Sequence, residues 1–120
     1  PDYYTPILIT SQDMVETQPD VVAAFTQATA RGFVYAIQNP AEAAQILSEA
    51  VPEIDPDLVR ASAEWLAPQY QADASRWGQQ SLEVWQGFSD FLVENGILAE
   101  GIDVEAAFTN DFLPGTVEEQ

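Results

Sequence analysis

Tyr3, Tyr4, Tyr70 and Trp77 are the side chains of this sequence best suited to hold a ligand. They lie in or beside stretches without a helical pattern. Aromatic walls carrying a few polar groups are how small apolar or heteroaromatic molecules are held. A plainer use competes, in which Trp77 and Tyr70 cover a helical core from a loop, and for these two it is preferred. For Tyr3 and Tyr4, at the mouth of an apolar run, the two uses stand level. Arg76, next to Trp77, is expected to pair with a nearby carboxylate rather than with an anionic ligand.

Other chemistry is excluded by what is missing. The sequence has no His, no Cys and no Lys. A Ser-His-Asp or Cys-His arrangement, a Schiff-base lysine and a phosphate-binding P-loop lysine therefore cannot be built from these residues. Cys-ligated zinc and disulfides fall with the cysteines. Acidic pairs such as Asp55 with Asp57 and Glu118 with Glu119 sit at a helix start and at the tail, where they serve as caps and solvated charge. No Gly turn is surrounded by the oxygen ligands that calcium or magnesium needs. No catalytic residue, metal ligand or cofactor site is expected.

These aromatic groups have to be positioned by one apolar run and a series of helices. Ile7-Leu8-Ile9 is continuous, preceded by aromatic residues and followed by Thr10 and Ser11, which predicts a buried strand. A lone strand leaves its N–H and C=O groups unpaired. Its partners are therefore expected in another chain or in a part of the same protein outside this sequence. From Gln12 onward the sequence reads as helices. Gln12 to Gln18 makes a single turn. Pro19 starts a helix to about Gln38, with Val22, Phe25, Thr29 and Phe33 on the core side. Gly32 within it predicts close packing against another element.

Asn39-Pro40-Ala41-Glu42 restarts the chain as a helix to Ala50, with Asn39 as cap and Ala44 with Ile46 or Leu47 inward. Asp55 caps the next, which runs to Leu66 and is expected to bury Leu58 and Trp65. Gln69 to Gln80 is the longest irregular stretch, a length at which loops often carry function. Ser81 caps a helix to about Asn95, which Gly96 stops. Asp103 begins a last turn through Ala107, and Phe108, Phe112, Leu113 and Pro114 form an apolar tail expected to dock. Residues 19–24 and 56–61 are similar, but no third copy follows, and both are simply good helix starts.

Composition bounds the partners. Among 120 residues, 47% are hydrophobic, which marks a globular sequence, and 20 acids face three arginines for a net charge of −17. That charge argues against DNA, RNA or an anionic membrane surface as a partner. No apolar run approaches the length that spans a bilayer. No leader is spelled out, and the opening Pro1-Asp2 leaves room for one upstream.

Several separated motifs make up a resemblance. They are Tyr3-Tyr4-Thr5-Pro6-Ile7-Leu8-Ile9, then Ala28-Thr29-Ala30-Arg31-Gly32 and Tyr35-Ala36-Ile37-Gln38-Asn39-Pro40. Next come Arg76-Trp77-Gly78, Trp85, Phe88, Leu92 and Asn95-Gly96, and last Ala107-Phe108-Thr109-Asn110-Asp111-Phe112-Leu113-Pro114. Together they resemble the C-terminal part of extracytoplasmic substrate-binding proteins of ABC importers. The branch is the one related to thiamine-pyrimidine synthesis enzymes, whose members take up hydroxymethylpyrimidine-type precursors or riboflavin. Nitrate, sulfonate and taurine binders are more distant.

The resemblance implies an α/β fold of the periplasmic-binding-protein type II, with two lobes and the ligand between them. This segment would be mostly α-helical with one N-terminal strand. Residues 1–12 would be the crossover strand returning to the first lobe, 13–114 its helical C-terminal part, and 115–120 a frayed tail. Asp2, Tyr3, Tyr4, Thr5 and Trp77 are the expected ligand contacts. The implied partners are a small heterocyclic solute, an ABC permease in the membrane, and the missing N-terminal part of the protein or another chain pairing the strand. The implied location is extracytoplasmic, either periplasmic or lipid-anchored at the cell surface. The synthesis enzymes of the superfamily use His and Lys, which are absent here, so no enzyme activity is expected. Two alternatives remain, a helical-repeat protein-interaction module and a segment of a pyrimidine-synthesis-like enzyme.

Overall fold

Prolines and small polar caps divide the chain into helices much as the sequence suggests. The computed structural model describes residues 1–115. It contains α1 (Gln12–Thr17), α2 (Pro19–Gln38), α3 (Pro40–Ala50), α4 (Pro56–Leu66) with a 3-10 turn at Ala67–Gln69, α5 (Leu82–Glu94) and α6 (Val104–Ala107). Pro19, Pro40 and Pro56 each stand in a first helical turn, where the lost N–H has no intrahelical partner to lose. Side-chain oxygens of Asp55, Ser81 and Asp103 accept from the N–H groups of Asp57, Val84 and Ala106, which satisfies orphan donors at three helix starts. Gly96 ends α5 with φ of 67°, a left-handed position that Gly occupies without strain. The Asn39 side chain, expected to cap α3, instead donates to the Tyr35 carbonyl at the end of α2.

The N-terminal strand does not form. No strand exists among the described residues, and Ile7, Leu8 and Ile9 are exposed, Ile9 to 86%. A strand is defined by its ladder, and no described segment offers one. Without a sheet, the apolar run also has nothing to bury against. Of the expected frayed tail, residues 116–120 lie outside the described residues.

The buried faces are narrower than the periodicity suggests. Among the described residues the buried hydrophobic ones are Ala30, Ala44, Val59, Ala67 and Val104. Helices α3 and α4 therefore meet through small side chains. Phe25, Leu58 and Trp65, expected inward, stand outward at 63%, 63% and 69% exposure. On α4 the covered residue is Val59, one position on from Leu58. Gly32 meets nothing within 4 Å of where a Cβ would stand, so it serves no close approach. The physical reason is common to these differences: a helix layer buries its second apolar face only against a second layer. The radius of gyration is 17.1 Å, against about 14 Å for a compact domain of this length.

The second half is tied down locally. Ser89 is fully buried on α5, and its Oγ accepts the Ile102 N–H at 3.1 Å. Trp85 stacks on Phe108 with ring centres 5.7 Å apart and planes 5° apart. Those two contacts hold the chain after α5 against the helix and lead the tail back across the Gln69–Gln80 loop.

Candidate functional site

Where the N-terminal segment passes the Gln69–Gln80 loop, the two leave a cleft of about 690 Å³. Tyr3, Tyr4, Thr5 and Trp77 all line it, so four of the five side chains expected from the sequence share one wall system. Asp2 is exposed and is not among its lining residues.

Phe33 on α2 organises the aromatic side. Trp77 stacks on it at 4.8 Å with planes 25° apart, and Tyr70 meets it edge-on at 5.1 Å and 78°. Trp77 and Tyr70 thus cover a helix from a loop, as the plainer reading has it, and they line the cleft as well. Tyr3 also stacks on Phe88 of α5 at 5.4 Å, a ring outside the cleft lining. The Tyr4 hydroxyl accepts the Ser81 N–H at 2.8 Å, at the start of α5. One tyrosine is therefore held by ring stacking and the other by its hydroxyl.

The polar part of the lining is made mainly of amides. Gln69, Gln71, Gln79 and Gln80 take part, Asp73 is its one carboxylate, and no arginine joins them. Aromatic faces with neutral amides suit a planar heterocycle whose edge carries both donors and acceptors. The same lining gives an anionic group no cation. Arg76 points elsewhere: its Nη1 donates to the Pro114 carbonyl at 3.1 Å and its Nη2 to the Asn110 carbonyl at 3.3 Å. The expected pairing with a carboxylate is replaced by two backbone acceptors on the tail. Ala72, in the loop, has φ of 50°, an uncommon backbone state for a residue with a Cβ. Among the described residues no group of three acids could hold a metal ion.

On the other side of Pro6 and Ile7 lies a smaller apolar groove of about 250 Å³, walled by Ile7 to Thr10, Phe25, Phe112 and Leu113. Phe33, Trp77 and Gly78 border both spaces.

Sequence reasoning missed Phe33 and Gln80 as parts of the site. Phe33 fits a helical stripe and carries no sign of a second role. Gln80 is an ordinary loop amide until its neighbours are known.

Comparison with known proteins bears on this cleft. Residues 1–43 match the NMT1/THI5-like family. That stretch holds Tyr3, Tyr4 and Thr5 and the whole of α2 with Phe33. The chain is 29% identical over 111 residues to the riboflavin-binding protein RibY of Chloroflexus aurantiacus, covering 88% of this chain and 32% of that protein. It is 26% identical over 114 residues to the formylaminopyrimidine-binding protein of Halalkalibacterium halodurans, covering 92% and 34%. It is 27% identical over 99 residues to the 4-amino-5-hydroxymethyl-2-methylpyrimidine phosphate synthase of Legionella pneumophila, covering 82% and 30%. The resemblance read from the sequence is borne out, at low identity. The chain spans about a third of the length of these relatives.

Proposed function

We propose that this chain is the C-terminal part of the substrate-binding component of an ABC-type importer, one that holds a small heterocyclic solute between two lobes. The observation that carries this reading is the convergence of Tyr3, Tyr4, Thr5 and Trp77 on one amide-rich aromatic cleft, in a chain similar to riboflavin-binding and formylaminopyrimidine-binding proteins. Asp2 would join the contacts once a second wall is in place. Within the two-lobed α/β fold, residues 1–12 act as the crossover and residues 13–114 as the helical part of the first lobe. The apolar groove beside Ile7 to Thr10 is then where the rest of that lobe packs. A membrane permease receives the solute, and the protein works outside the cytoplasm.

The ligand class follows from the lining. Stacking on Trp77 and amide contacts favour a flat, uncharged ring system such as a flavin or a pyrimidine, and the missing cation disfavours a phosphate ester. A test is calorimetry on the complete protein with riboflavin, formylaminopyrimidine and a phosphorylated pyrimidine. Binding of one of the first two and rejection of the third supports the reading. Tight binding of the phosphate ester alone contradicts it.

One relative is named a synthase, which favours a second reading as a segment of a pyrimidine-synthesis enzyme. This chain brings no His and no Lys, so proton transfer there would fall to other residues. Incubation of the complete protein with precursors and assay for pyrimidine phosphate separates the two readings.

A further inference from the structure

The tail after α6 crosses the Gln69–Gln80 loop, and one side chain of the tail engages a single loop residue twice. Asn110 Oδ1 accepts the Gln80 N–H at 3.0 Å, and Asn110 Nδ2 donates to the Gln80 carbonyl at 2.8 Å. Both polar groups of one loop residue are thereby satisfied by one amide, in the manner of a strand pair. The Gln80 side chain is engaged too, since its Oε1 accepts the Trp85 Nε1–H at 2.7 Å. The Asn110 carbonyl accepts from Arg76 Nη2. The lock therefore grips the loop on both sides of Trp77.

A second observation is independent of those bonds. Gly78 has φ of 81°, and a Cβ there would stand 3.0 Å from Leu113 Cδ2. Loop and tail approach so closely beside Trp77 that a Cβ on the loop would press on the Leu113 side chain, and the positive φ at Gly78 would itself strain any residue with a Cβ.

We infer that Asn110 is a positioning residue: it locks the Arg76–Ser81 segment against the tail and so fixes the Trp77 face of the cleft. It does not line the cleft and acts through Gln80 and Trp77. The role in binding rests on the proposed function, while the lock itself does not. Fixing the loop before a ligand arrives removes an ordering cost from binding. Asn is suited to the task because one short side chain presents a donor and an acceptor side by side. Asp at this position would keep the acceptor and lose the donor.

The test uses the complete protein with Asn110→Ala, Asn110→Asp and Gly78→Ala. Asn95→Ala is the control, because Asn95 Nδ2 donates to the Phe91 carbonyl at the end of α5, away from the loop. Amide hydrogen exchange, the Trp77 indole resonance and the affinity for riboflavin and formylaminopyrimidine are read together. Asn110→Ala is expected to speed exchange of the Gln80 amide by about tenfold, to shift the Trp77 indole and to weaken the bound probe by about tenfold, as loss of one to two hydrogen bonds would. Asn110→Asp falls between, Gly78→Ala shifts the indole in the same way, and Asn95→Ala changes melting temperature alone. Unchanged exchange at Gln80 overturns the lock. Faster exchange with an unmoved indole and unchanged affinity overturns the positioning role. If the unsubstituted protein binds neither probe, the functional reading falls, and exchange with the indole resonance still decides the lock.

Discussion

Trp77 rests on the face of Phe33, ring centres 4.8 Å apart and planes 25° from parallel. The pair joins a loop residue expected to meet ligand to a helix residue that looks like ordinary core. Phe33 also takes the edge of Tyr70, so one ring on α2 sets two aromatic groups of the cleft.

Phe33→Ala should therefore cost stability and binding together. Removing a half-buried ring from two aromatic neighbours is expected to destabilise by about 3 kcal/mol. Phe33→Leu, which keeps most of the volume, is expected to cost about half of that or less. Urea denaturation of the two variants measures the difference, and equal losses would show that ring stacking contributes little.

Tyr4→Phe isolates the hydroxyl that accepts the Ser81 N–H. It leaves that donor at the start of α5 without its partner, and about 1 kcal/mol of stability should go with it. Ser81→Ala removes the α5 cap at the same place and is expected to cost about 1 kcal/mol as well. The two groups touch, so the double variant should lose less than the sum. Strict additivity in denaturant midpoints would contradict the contact.

Ser89→Ala tests the second half of the fold. Ser89 is fully buried, and its Oγ is the acceptor for Ile102 N–H. Loss of this part-buried hydrogen bond is expected to cost about 1 kcal/mol. Fast exchange of the Ile102 amide in this variant is the direct readout.

The charge of −17 predicts a stability that rises with salt. Screening weakens repulsion among surface carboxylates, and three arginines offer little compensation. Among the described residues the ion pair is Arg60 with Asp57 at 2.9 Å, on an exposed helix surface where such pairs contribute little. Thermal melts from low to molar sodium chloride should move upward, and a downward shift would contradict a repulsive surface.

Helix boundaries were legible in the sequence because they depend on neighbours within four residues. Pro19, Pro40, Pro56, Asp55, Ser81, Asp103 and Gly96 all do locally what their types suggest. The buried faces were less legible. Leu58 and Trp65 fit a helical stripe, but whether a stripe is covered depends on a second layer, and α4 has none over that side. Ile7 to Ile9 carry a strand's composition, and a strand exists only when another segment pairs with it. Of the residues lining the cleft, Tyr3, Tyr4, Tyr70 and Trp77 could be named from residue type and the absence of helical pattern, and Thr5 only through the family resemblance. Gln80 and Asn110 could not, since they are 30 positions apart and each is unremarkable alone. Arg76 was expected to seek a carboxylate and takes two tail carbonyls instead, a choice set by how the tail returns.

The most direct test of the cleft as the ligand site is titration of the complete protein with riboflavin and with formylaminopyrimidine, before and after Trp77→Ala. The account predicts saturable one-to-one binding of one of them, weakened about tenfold or more by loss of the stacking face. Binding of neither, or binding that Trp77→Ala leaves unchanged, would contradict it.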